Sequence, residues 1–260
     1  MAVNTIVRQA RTRVRAEREA VDAKADAVEA FADRIADLTA TPPSPPPLAA
    51  TVTAGTPRSR QSDDRCRAVR QAFADTIRPH SVADVADDEP LLETVRAELS
   101  DSIAVALAPT TDRSFSPGLK RAIVSATSDR RTELATLARA LERERTALDD
   151  AQATVETVTD WLLDADETPL TGLGFDALRT RHETLATHRN RCTDLTDRRQ
   201  AFLRAATERS TGTRISHRSL GHYLYEDFPV DHPVLATATR LDSVCVSCQR
   251  AVRDHLVRRA

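Results

Sequence analysis

Near the end of the chain, in "SVCVSCQ", Cys245 and Cys248 stand three residues apart. That spacing is half of a structural zinc site, which needs four ligands, commonly as two close pairs. The second pair on offer is His188 with Cys192, or His182 with Cys192, along one helical stretch. A four-residue step places His188 and Cys192 on adjacent turns of one side of a helix. A site of His188, Cys192, Cys245 and Cys248 would follow if the last helix packs beside that stretch. A zinc knuckle, however, sits in a turn where backbone N–H groups support the thiolates, whereas Cys245 and Cys248 lie within a helical pattern and on its apolar face. The favoured reading makes them small buried hydrophobes, with no metal and no cofactor. A redox pair would need the cysteines at a helix start in a βαβ setting, and no strand pattern accompanies them.

The remaining chemistry-bearing residues are dispersed. His182, His188, His217, His222 and His232 spread over a helix and a loop. Acid–base or hydrolytic work needs a histidine beside a nucleophile in a pocket, and the adjacency of Ser216 and His217 in sequence does not supply that. No glycine-rich phosphate loop, nucleophile elbow or zincin motif is present, and 6 glycines in 260 residues leave little material for one. No catalytic residue is assigned, and the chain is expected not to be an enzyme.

The elements that carry these residues are helices. Aromatic residues make up only 3% of the chain and apolar residues 40%, so Ala, Leu, Arg, Glu and Asp predict thin helical seams rather than sheets. Residues 1–40 read as an N-terminal heptad helix, with Val7, Val14, Val21, Val28 and Ile35 every seven positions. Ala10, Phe31 and Leu38 fill companion positions that Glu17 and Lys24 interrupt. A strict seven-residue repeat keeps an apolar seam facing a partner. That partner is either the chain's own helices or a second copy, and the pattern leaves both open. The run "TPPSPPP" stops the helix, because proline lacks the N–H and clashes with the preceding turn. Residues 41–62 are expected to be a flexible Pro-rich linker.

A helical domain over 63–260 is expected to follow. Cys66, Val69, Phe73 and Ile77 share a face of a helix over 63–78. Leu92, Val95, Leu99 and Ile103 predict one helix over 90–108, with the acids Asp87, Asp88 and Glu89 complementing its dipole. Ser116 and Pro117 form a strong start for a helix to residue 165. Its seam is Leu134, Leu141, Leu148, Val155 and Leu162, with Leu137, Glu144, Ala151 and Val158 as second positions. Pro169, Gly172 and Gly174 break it. A second long helix over 175–209 presents Phe175, Leu178, His182, Leu185, Cys192, Leu195, Phe202 and Ala206. Two such helices joined by a short turn run antiparallel. The fold class is therefore all-α: a long antiparallel coiled-coil hairpin (117–165 and 175–209) with flanking shorter helices. A last helix begins near Pro233, with Ala238, Cys245 and Val252 on its face. Tyr223, Tyr225, Phe228 and Trp161 are expected to plug the end of the hairpin, or, for Trp161, to cap its turn.

Charge narrows the partners. The 37 basic and 39 acidic side chains nearly cancel. Residues 81–116 hold 8 acidic against 2 basic, net -6, and residues 176–260 hold 15 basic against 10 acidic, net +5. Such a dipole steers docking. Apart from Lys24 and Lys120 every basic residue is Arg, a type that grips phosphate in a bidentate way, but the arginines are scattered among acids. No apolar run reaches the roughly 20 residues a bilayer span needs. The opening "MAVNTIVRQARTRVRAERE" is charged throughout and lacks a secretory core, and four cysteines without a dense framework suit reduced thiols. No membrane association and a cytoplasmic location are expected.

The strings "SPGLKRAI", "LERERTALDDA", "GFDAL" and "YLYEDFPVDHPVLA" together resemble a family of proteins from halophilic archaea that carries only a domain-of-unknown-function label. The resemblance covers roughly residues 60–260. It implies a cytoplasmic helical protein and carries over no catalytic residue. From the residues themselves, the leading expectation is a non-enzymatic interaction or scaffold protein that pairs helix faces with itself or a protein partner through its heptad seams. The alternatives are a regulatory or nucleic-acid-associated protein using the Arg-rich C-terminal third, and a zinc-stabilised helical domain.

Overall fold

The computed structural model of the chain describes residues 6–41, 58–81, 90–111, 113–208 and 217–258. Among these residues the structure is helical, without strands. The helices are α1 Ile6–Asp37, α2 Arg58–Asp75, α3 Leu91–Glu98, α4 Asp101–Leu107, α5 Pro117–Asp166, α6 Phe175–Glu208, α7 His217–Tyr225 and α8 Pro233–Val257. Short 3-10 turns occupy Arg78–His80 and Leu170–Gly172. The chain divides into two compact units, one of Met1–Glu17 with Ala140–Ala260 and one of Arg18–Arg139. This division cuts across the expected boundaries at residues 40 and 63, because α1 and α5 each lend residues to both units.

In the first unit α5 and α6 run antiparallel on either side of the 167–174 turn. Glu144 meets Arg199 near one end and Trp161 meets His188 near the other. The heptad seam of α5 is inside, with Leu141, Leu148, Val155 and Val158 at 1% exposure or less. Each such side chain contributes roughly 1.5–3 kcal/mol by leaving water. Leu178, Leu185 and Cys192 of α6 join Val158 in the same core, together with Cys245 and Val252 of α8. Helix α8 lies antiparallel along α6: Arg189 donates to Asp242 and to Gln249, and Gln249 in turn donates to the His182 carbonyl. Val7, Ala10 and Val14 of α1 are fully buried, with Arg8 paired to Glu156 and Arg11 to Asp149 of α5.

In the second unit Phe31 of α1 stacks edge-on against Phe73 of α2, ring centroids 5.7 Å apart. Val28 and Ile35 of α1, Val69 and Ile77 at α2, and Ile123 of α5 are at 0% exposure. The last carbonyls of α1 are satisfied by a cation: Lys120 Nζ donates to Ala36 and Leu38, which also complements the helix dipole. Ser116 caps α5 by accepting from the Leu119 N–H at 3.2 Å, as its position ahead of Pro117 predicts.

Two expectations are revised and one question left open is narrowed. The helix over 90–108 is two helices. Ser100 is extended, and its hydroxyl accepts from the Ile103 N–H, so it caps a new helix where the apolar spacing alone reads as continuous. Helix α2 begins at Arg58, inside the linker expected over 41–62; residues 42–57, like the acids Asp87, Asp88 and Glu89, lie outside the described residues. The N-terminal heptad seam is covered by the chain's own helices, since Val7, Val14, Val21, Val28 and Ile35 are all buried. It therefore offers no open edge for a dimerisation arm.

Candidate functional site

Four residues carried the zinc reading, and the structure brings three of them, Cys192, Cys245 and Cys248, to one core as packing residues. Cys192 and Cys245 are core residues of the α6–α8 contact. Burial, helped by the Asp242 charge, raises the Cys192 pKa. Burial also pushes Cys245 up to about 11, with Cys192, Cys248 and Asp242 adding to it. Cys248 is half-buried beside that core, and its pKa is raised by burial and by Asp166 against the opposing effect of Arg181. His188 is 3% exposed and packs on Trp161 with the rings tilted at 44° and their centroids 4.8 Å apart. Neither of its ring nitrogens has a hydrogen-bond partner. Burial, then the Arg191 charge, lowers its pKa. Among the described residues no three His, Cys, Asp or Glu side chains are placed to hold a metal ion. Thiols whose pKa is raised by burial are poor nucleophiles.

The strongest polar cluster was only half visible in the sequence. Glu144 stands at an α5 seam position and is 1% exposed. Arg199 of α6 grips it with two bonds, 2.7 and 3.0 Å, and the Tyr225 hydroxyl of α7 donates to the same carboxylate. Burial alone would lower the Arg199 pKa, but the Glu144 charge and hydrogen bond overcome it and hold it raised. Tyr225 is pushed well above its ordinary range, first by burial and then by Glu144. The cluster leaves no acid or base facing solvent. Arg199 is missing from the expected face of α6, yet it stands seven residues after Cys192 and fourteen after Leu185, so the repeat itself marked it as internal.

The aromatics of the expected plug divide between the two ends of the hairpin, with Tyr223 on the surface. Tyr225 packs edge-on with Phe228 beside Glu144. Tyr223 is 38% exposed, donates to Glu17 and lies under the Arg13 guanidinium. Trp161 does serve the turn end of the hairpin, against the core that Leu170 and Leu173 of the turn also cover.

At that end lies a partly open cavity of about 240 Å3 within the first unit. Trp161, Leu162 and Ala165 of α5, Leu185 of α6, and Val252 of α8 wall it, with Leu170 from the turn. Cys248 reaches it from α8, and Asp166, Thr168 and Arg181 supply its polar groups. Arg181 donates one N–H to the Thr168 carbonyl at 3.1 Å. Apolar walls with a few convergent polar groups are the usual make-up of a small-molecule site. On either side of the same turn Leu163 and Phe175 are large apolar residues 51% and 48% exposed. Of the arginines in the C-terminal third, Arg199 and Arg189 are committed to Glu144 and Asp242.

A family model described as Domain of unknown function (DUF7260) matches residues 5–249. The chain belongs to this family. No curated protein matches the chain, and no solved structure does. The match to DUF7260 includes α1 and the segment after it as well as the hairpin, so the family unit is wider than the stretch from residue 60 that the quoted strings resemble. No helix among the described residues is long and apolar enough to cross a membrane.

Proposed function

We propose that this DUF7260 protein is a non-enzymatic interaction protein that works by pairing helix faces at the turn end of the α5–α6 hairpin. The observation that carries this reading is the exposure of Leu163 and Phe175 beside that turn, in a chain whose N-terminal seam is already occupied. Large apolar side chains grouped at one end of a rod are what a partner surface buries first. The seams inside the units are read as coiled-coil packing, which makes the hairpin a stiff arm for presenting its tip. The proposed location is cytoplasmic, in keeping with the free thiols Cys66, Cys192, Cys245 and Cys248.

Light scattering on the full chain, with Leu163→Ser/Phe175→Ser as the comparison, tests the self-pairing form. The expected result is a concentration-dependent rise in mass that the double variant loses. Photo-crosslinking from position 175 in the native host tests the form with another chain, and adducts absent from an equivalent probe at Arg121 are expected. A monomer at all concentrations together with no adduct at 175 rejects the proposal. The origin in halophilic archaea stays part of the same reading. It is supported by the quoted strings and tested by whether melting temperature climbs into molar KCl.

A further inference from the structure

The cavity at the turn end has a chemistry that the pairing reading does not use. Its walls are apolar, and its volume of about 240 Å3 exceeds the ~150 Å3 of an engineered apolar cavity that takes up benzene. Its polar groups are of both signs. Asp166 lines the cavity as a solvent-exposed residue, and its carboxylate has no ion-pair or hydrogen-bond partner among the described residues. Arg181 spends a single N–H on Thr168, and the other donors of its guanidinium are unused. No ion pair joins Asp166 to Arg181. An anionic head group would meet Arg181 but be repelled by Asp166, and a cationic one the reverse. A head that donates and accepts at once satisfies both.

We propose that this cavity binds a small amphiphile, with an apolar body of about eight carbons inside and an amide-type head, donor and acceptor together, between Asp166 and Arg181. The apolar body lies against Trp161, Leu162 and Val252, and displaces whatever water the open side admits. The head's N–H donates to the Asp166 carboxylate, and its carbonyl accepts from Arg181. Cys248 is a wall residue in this site and not a nucleophile, in keeping with its raised pKa. The proposal stands independently of helix-face pairing, because it concerns the cavity and not Leu163 or Phe175.

The chain's single tryptophan is Trp161, so ligand entry is read directly from its emission, with calorimetry on the full chain as the second measurement. The probes are octanamide, octanoate and octylamine. Octanamide is expected to bind about tenfold more tightly than either charged probe, equivalent to about 1.4 kcal/mol. Asp166→Asn is expected to bring octanoate up to or past octanamide, and Arg181→Gln to do the same for octylamine. Ala165→Phe, which fills the cavity, is expected to abolish all three. Absence of any emission change or heat with all three probes at millimolar concentration overturns the proposal. So does binding whose order is indifferent to Asp166→Asn and Arg181→Gln. Those two substitutions lie at the polar side of the cavity, so they keep the test decisive even if Ala165→Phe fails to fold.

Discussion

The two units each bury a glutamate, and they do so differently. In the first, Glu144 and Arg199 have side chains 2% and 4% exposed, and a third donor, Tyr225, completes the carboxylate. In the second, Glu98 is 9% exposed, but its partners Lys24 and Arg130 keep 17% and 27% of their surface in solvent. A fully dehydrated carboxylate requires a planar fork plus further hydrogen bonds to offset its lost hydration. A carboxylate at the edge of a core tolerates a point-charge ammonium and a second cation that water still reaches. The polar interior of the first unit is therefore all-or-none, and that of the second is graded.

The comparison breaks most sharply at Arg199. Arg199→Met keeps the aliphatic stem but strands Glu144, and is expected to destabilise the first unit by about 3–5 kcal/mol. Amide hydrogen exchange along α6, against α3 as the reference, is the measurement. The triple change Glu144→Leu/Arg199→Met/Tyr225→Phe is expected to return stability to within about 1 kcal/mol of the starting protein, since well-packed apolar residues replace a buried ion pair at little loss. A triple variant as weak as Arg199→Met would show that the ions set helix register. In the second unit Lys24→Met is expected to remove only about 1–2 kcal/mol, read by exchange along α3, because Arg130, 3.0 Å from the Glu98 carboxylate, still pairs with it. Tyr225→Phe is smaller again, about 1 kcal/mol, with Arg199 retaining its grip.

His188 sharpens the comparison from the other side, as a buried polar group with no partner. Burial and Arg191 lower its folded-state pKa, so the unfolded chain takes up the proton first as pH falls. Stability is full above the ordinary histidine value of about 6.5 and declines below it, at no more than about 1.4 kcal/mol per pH unit for one site. Thermal melts of the full chain and of His188→Leu between pH 5 and pH 8 are expected to differ in slope below about pH 6.5. Identical slopes would show that the imidazole is not buried unpaired in solution.

The seven-residue repeat carried most of the architecture. It placed Leu141, Leu148, Val155 and Val158 inside and put Cys192 and Cys245 among core residues; with the Ser116–Pro117 start and the Pro169, Gly172 and Gly174 break it put the hairpin at 117–165 and 175–209, where the structure has Pro117–Asp166 and Phe175–Glu208. It also marked the polar positions that had to be reconciled. Glu17 and Lys24 interrupt the α1 seam, and Arg130 and Glu144 share one register of α5. In the structure all four meet a partner inside their own unit. What the repeat could not name was the partner. Tyr223 lies 206 residues from Glu17, Glu98 lies 74 from Lys24, and Tyr225 lies 81 from Glu144.

Periodicity is a property of one helix, and it reports only which side turns away from water. Which side chain waits across the gap depends on how distant helices dock, and that is a tertiary decision. The ring nitrogens of His188 left without a hydrogen-bond partner and the cavity between Trp161, Arg181 and Cys248 belong to that second kind of information, whereas the break at Ser100 is a local cap that an apolar repeat does not register. The first two are made by residues brought together from separate elements.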